Sequence, residues 1–132
     1  MKMVIAGGTG FIGRHLCSLL VNEGHSIIVL SRHPEGATAP ATVRSRVIQW
    51  NGREDGPWAT LCEGAEVDIN LSGAPIADNR WTPARKRELV GSRVFTTQAL
   101  LASIANWKTK PHTFIIASGV GFYGDRGSEE VN

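Results

Sequence analysis

Short apolar runs recur along the chain and predict β-strands that are buried on both faces. The first run, Val4 to Ala6, leads directly into a glycine-rich turn. A stretch rich in Ala, Thr, Pro and Gly, residues 35–45, predicts an exposed loop. The predicted strands are Val4–Ala6, Ser26–Leu30, Arg46–Trp50, Glu66–Gly73 (whose last residues form a small-residue turn) and Phe114–Ser118.

Between these runs, apolar residues at helical spacing predict three helices. Gly24 provides a stop for the first helix, and Thr82 with Pro83 provides an N-cap and a first helical residue for the third. The predicted helices are Phe11–Glu23, Trp58–Cys62 and Pro83–Asn106. This alternation predicts the α/β class, with a doubly wound, Rossmann-like parallel sheet of five strands in the order 3-2-1-4-5.

Three glycines at a spacing of three, Gly7, Gly10 and Gly13, join the first strand to the first helix. Gly7 allows a sharp turn, Gly10 lets a pyrophosphate approach the backbone, and Gly13 lets the helix pack close to the strand. The unpaired N–H groups of the helix's first turn, from Phe11 and Ile12 onward, would hold the phosphates at the positive end of the helix dipole. The context predicts a dinucleotide-binding loop, with an ordinary turn as the alternative. An NTPase phosphate loop is disfavoured because no Gly-Lys-Ser/Thr follows.

The end of the second strand indicates which dinucleotide is bound. A carboxylate there would hydrogen-bond the adenosine ribose and repel a 2′-phosphate, whereas an arginine accommodates that phosphate. Ser31 and Arg32 occupy this place, and Arg14 adds positive charge nearby. These residues favour NADP over NAD. The alternative is that Arg32 is a solvated surface residue with no ligand.

Ligands of a doubly wound sheet bind beyond the carboxyl ends of the strands, where the strand order reverses. The first and fourth strands flank that point, so Leu71, Ser72 and Gly73 are predicted to face the cofactor. Trp50, at the end of the third strand, would lie beside an adenine ring or pack in the core. Ser118, at the tip of the fifth strand, stands where a reacting group belongs, although serine is also common in turns there.

The first half of the third helix is rich in charge, and most of it is predicted to be solvated. Arg93 shares a face with Val90 and Val94, so we expect it to be partly covered and to need an anionic partner. No set of histidine, cysteine and carboxylate residues has ligand spacing, so no metal is predicted.

Bulk composition adds a few limits. The 132 residues, 42% hydrophobic and 20% charged, fit one soluble globular domain. A formal charge of +2 without a basic stripe argues against nucleic acid as a partner. No apolar run approaches the ~20 residues needed to cross a bilayer. Cys17 and Cys62 are isolated and predict reduced thiols, so we expect a cytoplasmic protein with no membrane partner.

Together these elements resemble the short-chain dehydrogenase/reductase superfamily, specifically its extended and atypical members related to nucleotide-sugar epimerases. The resemblance implies that Ser31 and Arg32 bind the 2′-phosphate of NADP and that Leu71 and Ser72 line the cofactor through their backbone. The resemblance covers essentially the whole chain. Its matching pieces are Gly7–Gly13, Ser31-Arg32, Asn70–Gly73, Arg80-Trp81, Ser92-Arg93 and Ala117–Gly124.

The same resemblance implies roles for three further side chains. Glu88 and Arg93 would reach the cofactor, and Ser118 would hydrogen-bond the substrate oxygen. In the superfamily a tyrosine moves the hydroxyl proton and a lysine four residues later lowers the tyrosine pKa. Here the chain departs from the pattern, because Tyr123 has Gly127 at that spacing.

In such proteins the tyrosine–lysine pair, a sixth strand and the substrate domain would come after the last residue of this chain. We therefore expect residues 1–132 to form an incomplete NADP-binding domain, inactive alone. Its parent would be an oxidoreductase or epimerase acting on a small molecule, with a nucleotide sugar suggested only by analogy. The alternative is a non-catalytic NADP sensor or interaction module. An uncovered apolar edge at the fifth strand would favour a homo-oligomer.

Overall fold

The structure of the chain, a computed structural model, describes residues 1–36, 44–53, 56–117 and 127–130. Its strands are β1 Lys2–Ala6, β2 Ser26–Ser31, β3 Ser45–Gln49, β4 Val67–Asn70 and β5 Thr113–Ile116. Its helices are α1 Phe11–Asn22, α2 Pro57–Cys62 and α3 Pro83–Asn106, with a 3-10 turn at Pro34–Gly36. The strands form one parallel sheet in the order β3-β2-β1-β4-β5. The predicted Rossmann-like fold and strand order are confirmed.

Helices cover both faces of the central strands. On one face Cys17 of α1 shares an apolar cluster with Ile5 of β1. On the other face Leu100 of α3 shares a cluster with Val4 of β1 and with the side chains of α2. This burial on both sides is why the central strands are continuous apolar runs and do not alternate with polar residues.

Local signals set the helix ends close to where they were predicted. Thr82 caps α3, since its Oγ1 accepts a hydrogen bond from the Arg85 N–H at 3.1 Å. Gly24 follows the end of α1 with φ of +89°, in the left-handed region that favours glycine. Two strands end earlier than expected, so that Trp50 follows β3 and β5 stops at Ile116.

The sheet reverses its order at β1. Ala6, the last residue of β1, pairs with Leu30 of β2 on one side and with Asn70 of β4 on the other. The turns that follow β1 and β4 therefore leave the sheet side by side, and this position is where a doubly wound sheet places its ligand.

The strand β5 forms one edge of the sheet. Ile115 and Ile116 are each 47% exposed. The uncovered apolar edge that the sequence predicts is therefore present within the described residues.

Candidate dinucleotide-binding site

A cavity of about 1220 Å³ opens at the carboxyl end of the sheet, beyond the point where β1 and β4 separate. Its walls come from the turn after β1, the ends of β2 and β3, the turn after β4, and the first half of α3. Of the residues predicted to bind a cofactor, nine line this cavity: Gly7, Gly10, Ser31, Arg32, Trp50, Leu71, Ser72, Gly73 and Glu88.

The glycine turn is closely packed and leaves no room for side chains at two of its positions. Gly7 has φ of +78°, and a Cβ atom on it would lie 2.9 Å from the carbonyl carbon of Leu71. A Cβ atom on Gly13 would lie only 2.5 Å from the Gly7 carbonyl oxygen. Gly13 therefore packs α1 against the turn itself, whereas the sequence reasoning placed this close contact against the strand.

The first turn of α1 faces the glycine turn without a side-chain cap. Gly10 is the N-cap residue, so no capping side chain accepts from the first N–H groups. Within the described residues, these donors and the positive end of the helix are thus available to an anion. The side chains of Phe11 and Ile12 are 75% and 67% exposed and do not line the cavity. Their predicted contribution is through the backbone and stays a prediction.

Ser31 and Arg32 lie beside the glycine turn, as the sequence predicts. The Ser31 hydroxyl lies 3.5 Å from the Thr9 hydroxyl and accepts a hydrogen bond from the His33 N–H at 3.3 Å. Arg32 is exposed and lines the cavity. Its guanidinium is therefore accessible to an anionic group at the end of β2.

The indole of Trp50 packs in the core. Trp50 is 4% exposed, and its ring centroid lies 5.2 Å from that of Trp58. The core-packing interpretation is thus realised, although Trp50 also borders the cavity. Sequence reasoning missed the neighbouring Arg53, whose guanidinium stacks on the Phe95 ring at 5.3 Å and which also lines the cavity. Its place just after the Asn51-Gly52 turn is the signal that could have indicated it.

The turn after β4 is anchored to α3 by Asn70. This side chain accepts a hydrogen bond from the Ser72 N–H at 3.0 Å and donates to Thr97 and Thr96 on α3, at 3.0 and 3.3 Å. The turn consequently presents the backbone of residues 71–73 to the cavity. Asn70 is 2% exposed and was missed as a positioning residue.

Glu88 and Arg93 lie at different places relative to the cavity, and their predicted contacts with the cofactor stay predictions. Glu88 lines the cavity, but its carboxylate is paired with Arg85 at 2.8 Å. Arg93 is half-buried and does not line the cavity. Its Nη1 donates to the carbonyl oxygens of Leu89 and Ala74. Among the described residues its partners are therefore neutral carbonyls, and the expectation of an anionic partner is not met in the chain itself.

Positive side chains predominate around the cavity. Arg32, Arg53, Lys86 and Arg87 line it, and Glu88 is the one carboxylate among its described lining residues. This balance favours a polyanionic ligand. Arg14, predicted to add charge here, instead lies over the Phe11 ring at 5.4 Å.

The two predicted catalytic residues, Ser118 and Tyr123, lie outside the described residues. Cys17 and Cys62 are unpaired and buried, and burial raises their pKa values to about 11 and about 12, which makes both thiols poor nucleophiles. In the part of the chain that the structure describes, no group of side chains could hold a metal ion. No helix there is long and apolar enough to span a membrane.

Comparison with curated proteins identifies relatives of similar sequence. The Bacillus subtilis epimerase family protein YfhF is 36% identical over 124 residues, which are 94% of this chain and 39% of that protein. The human epimerase family protein SDR39U1 is 31% identical over 125 residues, covering 93% of this chain and 38% of that protein. The chain thus spans about two-fifths of the length of these relatives.

Solved structures show the same fold. The crystal structure of human SDR39U1 with NADPH superposes with a TM-score of 0.74 at 30% identity, over 93% of this chain and 38% of that one. The structure of MoeE5 in complex with UDP-glucuronic acid and NAD superposes with a TM-score of 0.75 at 23% identity, and the match covers 100% of this chain and 40% of that one. A family model described as the NAD dependent epimerase/dehydratase family matches residues 3–132. This chain therefore belongs to the NAD-dependent epimerase/dehydratase family.

Proposed function

We propose that residues 1–132 form the NADP-binding part of an epimerase-like oxidoreductase. The observation that carries the proposal is the cradle at the end of β1: an uncapped helix start and a backbone in which Gly7 and Gly13 exclude side chains. Such a cradle fits a diphosphate, because its donors are backbone N–H groups and its surface has no Cβ atoms in the way. The positively charged walls are consistent with the same ligand.

NADP is favoured over NAD by the end of β2. Arg32 supplies an accessible guanidinium there, and Ser31 supplies a hydroxyl next to the glycine turn. A 2′-phosphate at this place would receive charge-assisted hydrogen bonds. The human relative was crystallised with NADPH, which supports this choice, although MoeE5 was crystallised with NAD.

The backbone of residues 71–73 and the glycine turn would bind and orient the cofactor from two adjoining walls of the cavity. When bound, NADP supplies or accepts a hydride at its nicotinamide. A longer protein would supply the domain that binds a small-molecule substrate and the group that transfers the proton. A nucleotide sugar is the first substrate class to test. Ser118 and Tyr123 remain proposed catalytic residues.

The exposed edge of β5 favours a second candidate function, in which the same fold is a non-catalytic NADP sensor or interaction module. Ile115 and Ile116 would be covered there by a second copy of the chain or by another protein. Hydride transfer from a nucleotide sugar to NADP+ by a longer protein, with release of the hydroxyl proton, would support the enzyme, whereas cofactor binding without turnover would support the module.

Titration with NADPH and NADH, followed by nicotinamide fluorescence, tests the cofactor proposal. We expect saturable binding of both, with NADPH bound more tightly by about tenfold or more because of the additional phosphate contact. Tighter binding of NADH would contradict the assignment of NADP. No binding of either dinucleotide would contradict the proposed function as a whole.

A further inference from the structure

We infer that Arg93 is a positioning residue that fixes the cavity wall at Gly73 and Ala74 without contacting the cofactor. This role depends on the cofactor binding proposed above. It differs from the direct contact that the resemblance implies for Arg93, because Arg93 does not line the cavity and its guanidinium donates to the Ala74 and Leu89 carbonyl oxygens.

Arg93 ties the turn after β4 to α3. Its Nη1 donates to the Ala74 carbonyl oxygen at 3.3 Å and to the Leu89 carbonyl oxygen at 3.0 Å. The adjacent Ser92 accepts a hydrogen bond from the Ala74 N–H at 2.9 Å. Both backbone polar groups of Ala74 are therefore bound by consecutive residues of α3.

The guanidinium also lies directly against Gly73. A Cβ atom on Gly73 would be 2.9 Å from Cζ of Arg93 and 3.1 Å from each terminal nitrogen. A side chain at position 73 would therefore displace the guanidinium and weaken its bond to Ala74. Gly73 lines the cavity and Arg93 does not. The packing of the guanidinium against Gly73 therefore fixes the position of the backbone that forms this wall of the cavity.

On its other side the same turn rests on the glycine loop. A Cβ atom on Gly7 would lie 2.9 Å from the Leu71 carbonyl carbon and from the Ser72 nitrogen. Residues 71–73 are thus held between Gly7 and Arg93. Without the Arg93 guanidinium, residues 71–73 could move relative to the glycine turn. This movement would lower the affinity for any dinucleotide that contacts both the glycine turn and residues 71–73.

The test measures NADPH and NADH affinity by nicotinamide fluorescence, together with the Tm of the cofactor-free protein. We expect Arg93→Ala to weaken both cofactors by a similar factor of about tenfold, the effect of one lost charged hydrogen-bonding group. Arg93→Lys keeps a cation that can donate to both carbonyls and should retain more affinity than Arg93→Ala. The Tm values should stay close to that of the wild type.

The control is Arg46→Ala, because Arg46 is an exposed arginine of β3 that does not line the cavity. Its substitution should leave both affinities unchanged. Gly73→Ala should weaken binding in the wild-type background but add little to Arg93→Ala, because the new methyl group then occupies vacated space.

Four results would overturn the role of Arg93. They are wild-type affinity in a folded Arg93→Ala variant, a loss confined to NADPH, fully additive losses for Gly73→Ala and Arg93→Ala, and unfolding of both Arg93 variants. A wild-type protein that binds neither dinucleotide would instead overturn the proposed function. The two failures are therefore distinguishable.

Discussion

Gly7 packs directly on the backbone of Leu71, so closely that a Cβ atom on Gly7 would lie 2.9 Å from the Leu71 carbonyl carbon. The Leu71 N–H donates to the Ala6 carbonyl oxygen at 2.9 Å, so the pairing of β1 with β4 continues past the last strand residues. The turns that leave these two strands are consequently in contact. One forms the cradle that we propose binds the diphosphate, and the other forms the adjoining wall of the cavity.

The fold should depend strongly on the absence of a side chain at Gly13. A Cβ atom there would lie 2.5 Å from the Gly7 carbonyl oxygen and 2.6 Å from the Gly8 Cα, both backbone atoms that move only with the whole turn. We expect Gly13→Ala to lower the free energy of unfolding by about 3 kcal/mol. Urea denaturation measures this change.

The matched control for Gly13→Ala is Ser18→Ala, on the exposed side of the same helix. Its effect on the free energy of unfolding should stay within about 0.5 kcal/mol. Equal stability of the Gly13→Ala variant and the wild type would show that α1 can move away from the glycine turn, contrary to the packing described.

Arg32 should determine the choice between NADP and NAD. Arg32→Ala should weaken NADPH by about 10- to 100-fold, because a guanidinium bond to a phosphate is charge-assisted, and should leave NADH nearly unchanged. Fluorescence titration with both cofactors checks this. Arg46, an exposed arginine of β3, provides the control, since its substitution by alanine should change neither affinity. An equal loss for both cofactors would refute the phosphate contact.

Asp68 should make stability depend on pH. Its carboxyl group is fully buried in β4, and among the described atoms neither oxygen has a hydrogen-bond partner. Burial raises its pKa from 3.8 to about 7. The folded state therefore binds the proton of Asp68 more tightly than the unfolded state does. The stabilisation from this proton is complete below about pH 4 and is lost as pH rises to about 7.

Urea denaturation between about pH 5 and pH 8 tests this account of Asp68. The free energy of unfolding should fall by about 1.4 kcal/mol per pH unit until the folded-state pKa is reached, and then level off. Asp68→Asn, which has no ionisable carboxyl group, should remove this part of the pH dependence. A slope identical in Asp68→Asn and the wild type would show that other groups cause it.

The apolar pattern was sufficient to predict the strands, whereas their order followed from the Rossmann-like fold that the glycine turn between the first strand and the first helix indicated. Val4 and Val29 lie in strands covered on both faces, so their runs carry an unbroken signal of burial. The N-cap at Thr82 and the stop at Gly24 likewise depend on short-range backbone geometry, which neighbouring residues determine. Such local rules hold wherever tertiary packing agrees with them.

Contacts between distant segments were harder to predict. Arg53 and Phe95 are in contact although they are far apart in sequence, and helical spacing indicated that Arg93 is partly covered but not which carbonyl groups it contacts. Asp68 within an apolar strand gave no indication that both its oxygens would lack partners. The predicted roles of Ser118 and Tyr123 fall outside the described residues and stay predictions.

The most direct measurement of the central claim is the affinity of Gly10→Val for NADPH. Gly10 has φ of −73°, which any residue adopts, and a Cβ atom on it would approach only the Gly7 carbonyl oxygen, at 3.2 Å. A valine there would project into the cradle and would require only a small shift of the Gly7 carbonyl group. We predict a folded protein with a slightly lowered Tm and no detectable binding of NADPH. Binding as tight as that of the wild type would contradict a dinucleotide held by the glycine turn.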